Sequence, residues 1–288
     1  NQISPYFEMI IVDEVHHLPA EKFKYIALHS LAHLRMGLSA TPEREDGKHE
    51  ELFPLMGGVV YYKSPSELVE QGYLSPYQLV TVRVKLDKEE LLKYKQLRQL
   101  YSQYSKGKPF TEILEEARRG ILESIEALKI HSELRKLIAL SKSKINKAVE
   151  LAIKEYESGN KVIVFTQYID QAKDIAEKTR GLLLIGEMPE IERKRVLETF
   201  KHSPRGILVV TTVGDEGIDI PDANVGIIVS GTGSRRQFIQ RLGRLLRPKT
   251  RGMYARLYEI IAEKTPEEYQ LRKRRSAVDT LTDLEDDV

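Results

Sequence analysis

The sequence predicts an α/β protein built on a parallel sheet, and three observations carry that expectation. Short apolar runs recur along the chain, among them "EMIIV", "KVIVF", "GLLLI" and "GILVV". Uninterrupted runs of this kind suit strands covered on both faces, as in parallel sheets. Helix-forming stretches follow several of them, and strand–helix alternation builds a parallel sheet through right-handed crossovers. The 288 residues are 41% hydrophobic and 31% charged, which suits two domains of ordinary size, each with a real core.

Taken in order, "EMIIVDE" (8–14) reads as a fully buried strand. "RMGLSATP" (35–42) gives a second short strand ending in a loop at Pro42, and "GVVYYK" (58–63) a third. "SPSELVEQGYL" (64–74) reads as a helix with Ser64 or Ser66 as its N-cap. The alternating segment "QLVTVRVKL" (78–86) marks the crossing into a second domain. From Asp87 to about Gly159 the chain is helical in pattern with few breakers, over 87–105, 110–130 and 132–158. "SKGKPF" (105–110) supplies the first turn, so the first pair reads as a helical hairpin added to an α/β domain. Alternation then resumes: strands at 161–167, 181–186, 206–212, 224–231 and 253–261, with helices at 168–179, 189–201 and 234–247.

Bulk properties narrow the function. The net charge is +2, so the total does not announce a nucleic-acid binder, although "QLRKRR" (270–275) is basic and "DLEDDV" (283–288) acidic. Such runs are usually solvated faces. The chain has no cysteine, which excludes a disulfide framework and thiolate metal sites and fits a reducing, cytoplasmic home. No apolar run reaches membrane-spanning length and no signal peptide opens the chain.

The chemistry begins with Asp13 and Glu14, adjacent acids at the end of the first strand. Open α/β sheets bind ligands outside the carboxyl ends of their strands. There one acid can hold magnesium through water while its neighbour orients an attacking water. The plain alternative is that the pair caps the following helix. Downstream, Gln240, Gly243, Arg244 and Arg247 fall three or four apart in "QRLGRLLR", on one face of a helix.

"DEVH" (13–16), then "SAT" (39–41), then "QRLGRLLR" (240–247) in this order resembles motifs II, III and VI of superfamily-two helicases and translocases. The resemblance implies RecA-like motor domains, ATP and magnesium. It implies Asp13 as the magnesium-coordinating acid, Glu14 as the catalytic base, and His16 as a link between nucleotide and nucleic acid. Ser39 and Thr41 match the coupling motif. Gln240, Arg244 and Arg247 match the helix of the arginine fingers. "TTVGDEGIDIPDANV" (211–225) resembles motif V, with Gly217 permitting a tight backbone path, Asp219 reaching the ribose and Thr212 a phosphate. "VIVFTQY" and the segment around Arg193 resemble the motif IV region, with Gln167 and Arg193 as nucleic-acid contacts. Arg44, Glu45 and Asp46 reproduce the "RED" motif of the xeroderma-pigmentosum-group-B (XPB) helicases, whose thumb-like element corresponds to the helical insertion at about 87–140. At the tip of its hairpin Lys106 and Lys108, with Tyr94, Tyr101 and Tyr104, suit phosphate contact and base stacking.

The chain is thus identified as a member of the XPB family, archaeal in type. The expected division is 1–78, the C-terminal part of a first RecA-like domain, and 79–288, a second one with the thumb. No G-x-x-x-x-G-K-[ST] run occurs, so the chain is expected to be the C-terminal part of a longer enzyme and inactive alone. DNA, whether duplex, forked or single-stranded, is the expected partner of a monomeric motor, with a nuclease or repair complex beside it and the nucleoid as its setting. Other superfamily-two translocases that do not separate strands, and a binding module without catalysis, remain alternatives.

Overall fold

A computed structural model describes residues 7–39, 48–63, 65–73, 77–211, 223–230, 255–275 and 283–284. Its strands form two sheets, and every ladder is parallel.

The first sheet is a pair. β1 (Met9–Val12) and β2 (Leu34–Gly37) run side by side from Met9↔Leu34 to Val12↔Gly37, joined through α1 (Glu21–His29). Val15, Leu18 and Ala27 pack on Leu52 and Leu55 of α2 (Leu52–Met56). Arg35 ties β2 to that helix by donating to the carbonyls of Leu55 at 2.8 Å and Ser30 at 3.1 Å. The short α3 (Pro65–Glu70) follows. Two expectations change. β1 is not fully buried: Met9 is 44% and Ile11 59% exposed, since no element among the described residues covers that face. "GVVYYK" forms no strand, and Val60 is 97% exposed. β-propensity is insufficient where no neighbouring strand offers ladder hydrogen bonds and packing.

The second sheet contains β3 (Tyr77–Val84), β4 (Lys161–Thr166), β5 (Leu182–Leu184), β6 (Gly206–Thr211), β7 (Val225–Ile228), β8 (Ala255–Ala262) and β9 (Asp283–Leu284). Their order across the sheet is β5-β6-β4-β7-β8-β3-β9. From β4 the chain passes through α8 (Ile169–Thr179) to β5, returns by α9 (Glu190–His202) to β6, and then crosses to the far side of β4 for β7. Alternation along β4 explains why both faces are apolar. Val162 and Val164 pack with Ala148 and Leu151 of α7 (Lys142–Glu157) and Ile175 of α8. Ile163 and Phe165 point the other way, into the layer that contains Phe200 of α9. Full burial of each such side chain stabilises by about 1.5–3 kcal/mol.

Between β3 and α7 stand α4 (Lys88–Ser105), α5 (Phe110–Arg118) and α6 (Leu122–Ala139). Tyr94 and Leu97 of α4 meet Ile130, Leu134 and Ile138 of α6. The sequence pattern over 110–130 reads as one helix, yet the structure breaks it. Gly120 takes a left-handed φ of 86°, and the Ile121 and Gly120 N–H groups donate to the carbonyls of Glu116 and Ala117. This is a Schellman closure, which glycine permits without steric cost. The pattern over 132–158 breaks at Ser141, whose buried hydroxyl caps α7 by accepting from the Lys144 N–H at 3.4 Å. Past β8, the basic "QLRKRR" lies within α10 (Pro266–Arg275).

Glu90 closes the base of the insertion. Asp87 Oδ1 accepts from the Glu90 N–H at 2.8 Å, and Glu90 Oε2 accepts from the Asp87 N–H at 3.1 Å, a capping box. The other Glu90 oxygen accepts from the Lys142 N–H at 2.8 Å, joining the first turns of α4 and α7. Glu90→Ala should therefore lower the unfolding free energy by about 1–3 kcal/mol, read by chemical denaturation. Glu89→Ala, exposed on the same turn, should change it by less than about 0.5 kcal/mol.

Candidate functional site

The acids of "DEVH" sit just past the carboxyl end of β1. Asp13 is exposed, and its Oδ1 accepts from the Glu14 N–H at 2.8 Å. Glu14 adopts a left-handed backbone (φ 48°, ψ 47°) and precedes a single 3-10 turn, Val15–His17. That conformation is uncommon for a residue with a side chain and costs of order 1–3 kcal/mol, so the surroundings must hold it. They do so at Val15, whose N–H donates to the Leu38 carbonyl at 2.9 Å. Its side chain lies against Gly37: a Cβ there would stand 2.8 Å from Val15 Cγ2 and 3.1 Å from Cβ and Cγ1.

This turn brings His16 against the Glu14 carboxylate. His16 is 0% exposed, with Nδ1 3.3 Å from Glu14 Oε2 and 3.0 Å from Ser39 Oγ. Glu14, His16 and Ser39, expected from two separate motifs, therefore meet at one ring nitrogen. A buried imidazole between a carboxylate and a hydroxyl can pass a change in one to the other. The rest of the expected coupling set, Thr41, Arg44, Glu45 and Asp46, lies outside the described residues.

The second sheet has its own topological switch point. Connections leave β4 and β7 in opposite directions, and ligands of open α/β sheets bind at such a switch point. Gln167 follows β4 and its N–H donates to Ser230 Oγ, beyond β7, at 3.0 Å. Ser230 Oγ donates to Gln171 Oε1 at 2.5 Å, and Gln171 Nε2 donates to the Ala139 carbonyl at the end of α6 at 2.5 Å. The switch point is thus tied to the helical insertion through buried Gln171. Residues 212–222 follow β6 directly and residues 231–254 begin just past Ser230. Thr212, Gly217, Asp219, Gln240, Arg244 and Arg247 belong to those segments, outside the described residues.

The remaining expected contacts are placed individually. Arg193, on α9, donates to the carbonyls of Gly186 and Met188 at 2.9 and 3.3 Å, bracing the loop that precedes its own helix. Lys106 pairs with Glu123 at 2.6 Å, and Lys108 pairs with Glu116 and, at 3.6 Å, with Glu112. The Glu116 contact holds the Lys108 ammonium above its ordinary pKa and the Glu116 carboxyl below its own. Tyr94 is 5% exposed within the core between α4 and α6, so it is no stacking platform at the hairpin tip. Helical spacing alone does not say which face of a lone tyrosine is buried. Sequence reasoning passed over Gln171, Ser230 and Thr211. Thr211 is 3% exposed, and its hydroxyl has no hydrogen-bond partner among the described residues. Its one signal was its place beside Thr212 at the end of an apolar run.

Comparison with known proteins gives consistent results. Residues 124–280 match the family described as ERCC3/RAD25/XPB C-terminal helicase, and residues 1–44 match the res subunit of type III restriction enzymes. The chain is 38% identical over 93% of its length to the DNA 3′-5′ translocase XPB2 of Sulfurisphaera tokodaii, of which it covers 62%. It is 34% identical over 93% of its length to the DNA 3′-5′ helicase XPB of Kineococcus radiotolerans, covering 42% of that protein. At 30% it resembles the general transcription and DNA repair factor IIH helicase/translocase subunit XPB of Schizosaccharomyces pombe, covering 30% of it. The chain thus spans between about a third and three fifths of these relatives. The helicase domain of Pyrococcus furiosus Hef superposes with a TM-score of 0.58 at 22% identity, over 92% of this chain and 73% of that one. The Sulfolobus solfataricus SWI2/SNF2 ATPase core, solved with double-stranded DNA, superposes with 0.52 at 17%, over 93% and 67%. These likenesses establish RecA-like α/β architecture.

The geometry of the β1 turn makes a stability prediction. Gly37→Ala forces a methyl into Val15, an overpacking that should cost about 1–3 kcal/mol within the β1–β2 unit. Hydrogen exchange should accelerate at the Val15 amide while the amides of β4 and β6 keep their protection.

Proposed function

The chain belongs to the ERCC3/RAD25/XPB C-terminal helicase family, and on that premise we propose that it serves an ATP-dependent DNA helicase or translocase of the repair or transcription type. The observation that carries the reading is the meeting of Glu14, His16 and Ser39 past the carboxyl end of β1. Residues 1–78 act as the C-terminal part of one RecA-like domain and 79–288 as a second, with the insertion at about 87–140 as a thumb on DNA. ATP occupies the cleft between them.

Asp13 fits magnesium. It is an exposed carboxylate, and this ion takes one or two carboxylates and fills its other positions with water and phosphate oxygens. Bound there, magnesium supplies positive charge to the phosphates. Glu14 orients the attacking water and accepts its proton as the new bond to the γ-phosphorus forms. The bond from that phosphorus to the β–γ bridging oxygen breaks, and ADP leaves. His16 holds the Glu14 carboxylate and relays its state to Ser39, Thr41 and the Arg44–Glu45–Asp46 segment. Arg244 and Arg247, presented with Gln240, neutralise charge on the transferred group. Gly217 and Asp219 approach the ribose.

DNA is the track. Thr212, Gln167, Arg193, Lys106 and Lys108 are the proposed contacts. The exposed pair at Lys106 does not preclude this, because such pairs are worth only about 0–1 kcal/mol and a phosphate can replace the carboxylate, whereas Lys108 must give up its part-buried pair with Glu116. A repair or transcription assembly is the proposed setting, as one relative is named as a subunit of such a factor.

The test is Glu14→Gln, in an enzyme that carries these residues together with a phosphate-cradling loop, which the 288 residues do not contain. ATP binding should persist, and DNA-stimulated turnover should fall by about 10²- to 10⁴-fold. Turnover near the unsubstituted rate would leave the Glu14 carboxylate no part in the reaction.

A further inference from the structure

Three distant stretches of chain meet at the carboxamide of Gln171. This residue lies in the first turn of α8 and is 1% exposed. Its helix is held against the sheet, with Ala172 and Ile175 fully buried in the layer of Val162 and Val164. Gln171 Nε2 donates to the Ala139 carbonyl at 2.5 Å, 32 residues upstream at the end of α6. Carbonyls in the last turn of a helix have no partner within it, so Gln171 satisfies a group that α6 leaves open. On the other side, Gln171 Oε1 accepts from Ser230 Oγ at 2.5 Å, 59 residues downstream. Ser230 is 4% exposed, and the same oxygen accepts from the Gln167 N–H at 3.0 Å.

Two properties distinguish this arrangement from an ordinary core contact. A carboxamide is a planar unit that donates through its nitrogen and accepts through its oxygen. If the nitrogen follows Ala139, the oxygen moves with it. Burial also keeps water from replacing a partner that shifts, so the bonds move together or are lost at the full desolvation cost. The two ends of the chain of bonds are placed where such a link matters. Ala139 closes the helical insertion. Ser230 immediately precedes 231–254, the stretch that carries Gln240, Arg244 and Arg247.

We propose that Gln171 is a positioning residue. It sets Ser230, and with it the start of the arginine-bearing stretch, according to where the α6 end of the insertion stands. This role rests on the reading above, in which the insertion meets DNA and Arg244 and Arg247 serve ATP turnover. It names the residue through which DNA on the insertion raises turnover at the nucleotide. Gln171 itself touches neither ligand.

The test uses an enzyme that carries these residues together with a phosphate-cradling loop. ATP turnover is measured with and without DNA, and the ratio of the two rates is the readout. Both rates come from one preparation, so a loss of folded protein alone leaves the ratio where it was. Gln171→Met keeps the length of the side chain and removes both hydrogen bonds. It should lower the ratio by about fivefold or more, while KM for ATP stays within about twofold. Ser230→Ala breaks the same chain of bonds at its other end and should lower the ratio comparably. The two together should do no more than the worse one alone. Lys178→Ala, on the exposed side of α8, should leave the ratio unchanged. A fall in both variants, or in Ser230→Ala where Gln171→Met yields no folded protein, supports the role. Stimulation that either folded variant retains overturns it and leaves the reading above intact. An unsubstituted enzyme that DNA does not stimulate overturns that reading, and the role of Gln171 with it.

Discussion

The described structure depends on strands that run parallel, and in the second sheet they are covered on both faces. A parallel ladder forces each connection to cross back over the sheet, and the crossing helices bury the strands that they leave. Along β4 the result is Val162 and Val164 under α7 and α8, with Ile163 and Phe165 in the layer of Phe200. The same constraint collects every strand's carboxyl end at one edge of its sheet. Asp13 and Glu14 past β1, Gln167 past β4, Thr211 at the end of β6 and Ser230 past β7 are there for that topological reason.

The apolar layers do not fix where separate segments meet; polar ties do. Glu90 joins the first turns of α4 and α7 across 52 residues. Gln171 links the end of α6 to the switch point through Ser230. Glu155, 1% exposed, accepts from Arg256 at 2.5 Å, Tyr258 at 2.6 Å and Asn160 at 2.6 Å, fastening α7 to β8. A buried carboxylate is tolerated only when satisfied in this way, so each tie is specific to its partner. The Gln171 tie also gives the insertion a physical route to the segment past β7. A shift of α6 moves the Ala139 carbonyl, and the Gln171 amide must follow it or lose a buried hydrogen bond.

The strand order along the chain and the acid pair at a strand end were legible in the sequence, because apolar runs and strand–helix alternation are local signals. The helix breaks were not. Residues 110–130 have helical propensity throughout, and Gly120 acts as a terminator only because Ile121 and Gly120 close a Schellman motif. "GVVYYK" has the composition of a strand and has no neighbouring strand among the described residues. Tyr94 looked like a surface aromatic until α6 covered it. The approach of His16 to Ser39 joins residues 23 positions apart, and the crossover through α1, with Gly37 admitting Val15, decides that distance. Such pairings are properties of the folded chain.

The central claim is that Glu14 and Ser39 communicate through one buried imidazole. It is tested most directly by a double-mutant cycle on DNA-stimulated ATP turnover, with His16→Ala, Ser39→Ala and the pair in the enzyme that carries these residues. If one ring nitrogen serves both, the double variant should be no worse than the worse single one, a coupling of at least about 1 kcal/mol. Effects that add to within about 0.3–0.5 kcal/mol would show two independent residues and contradict the relay.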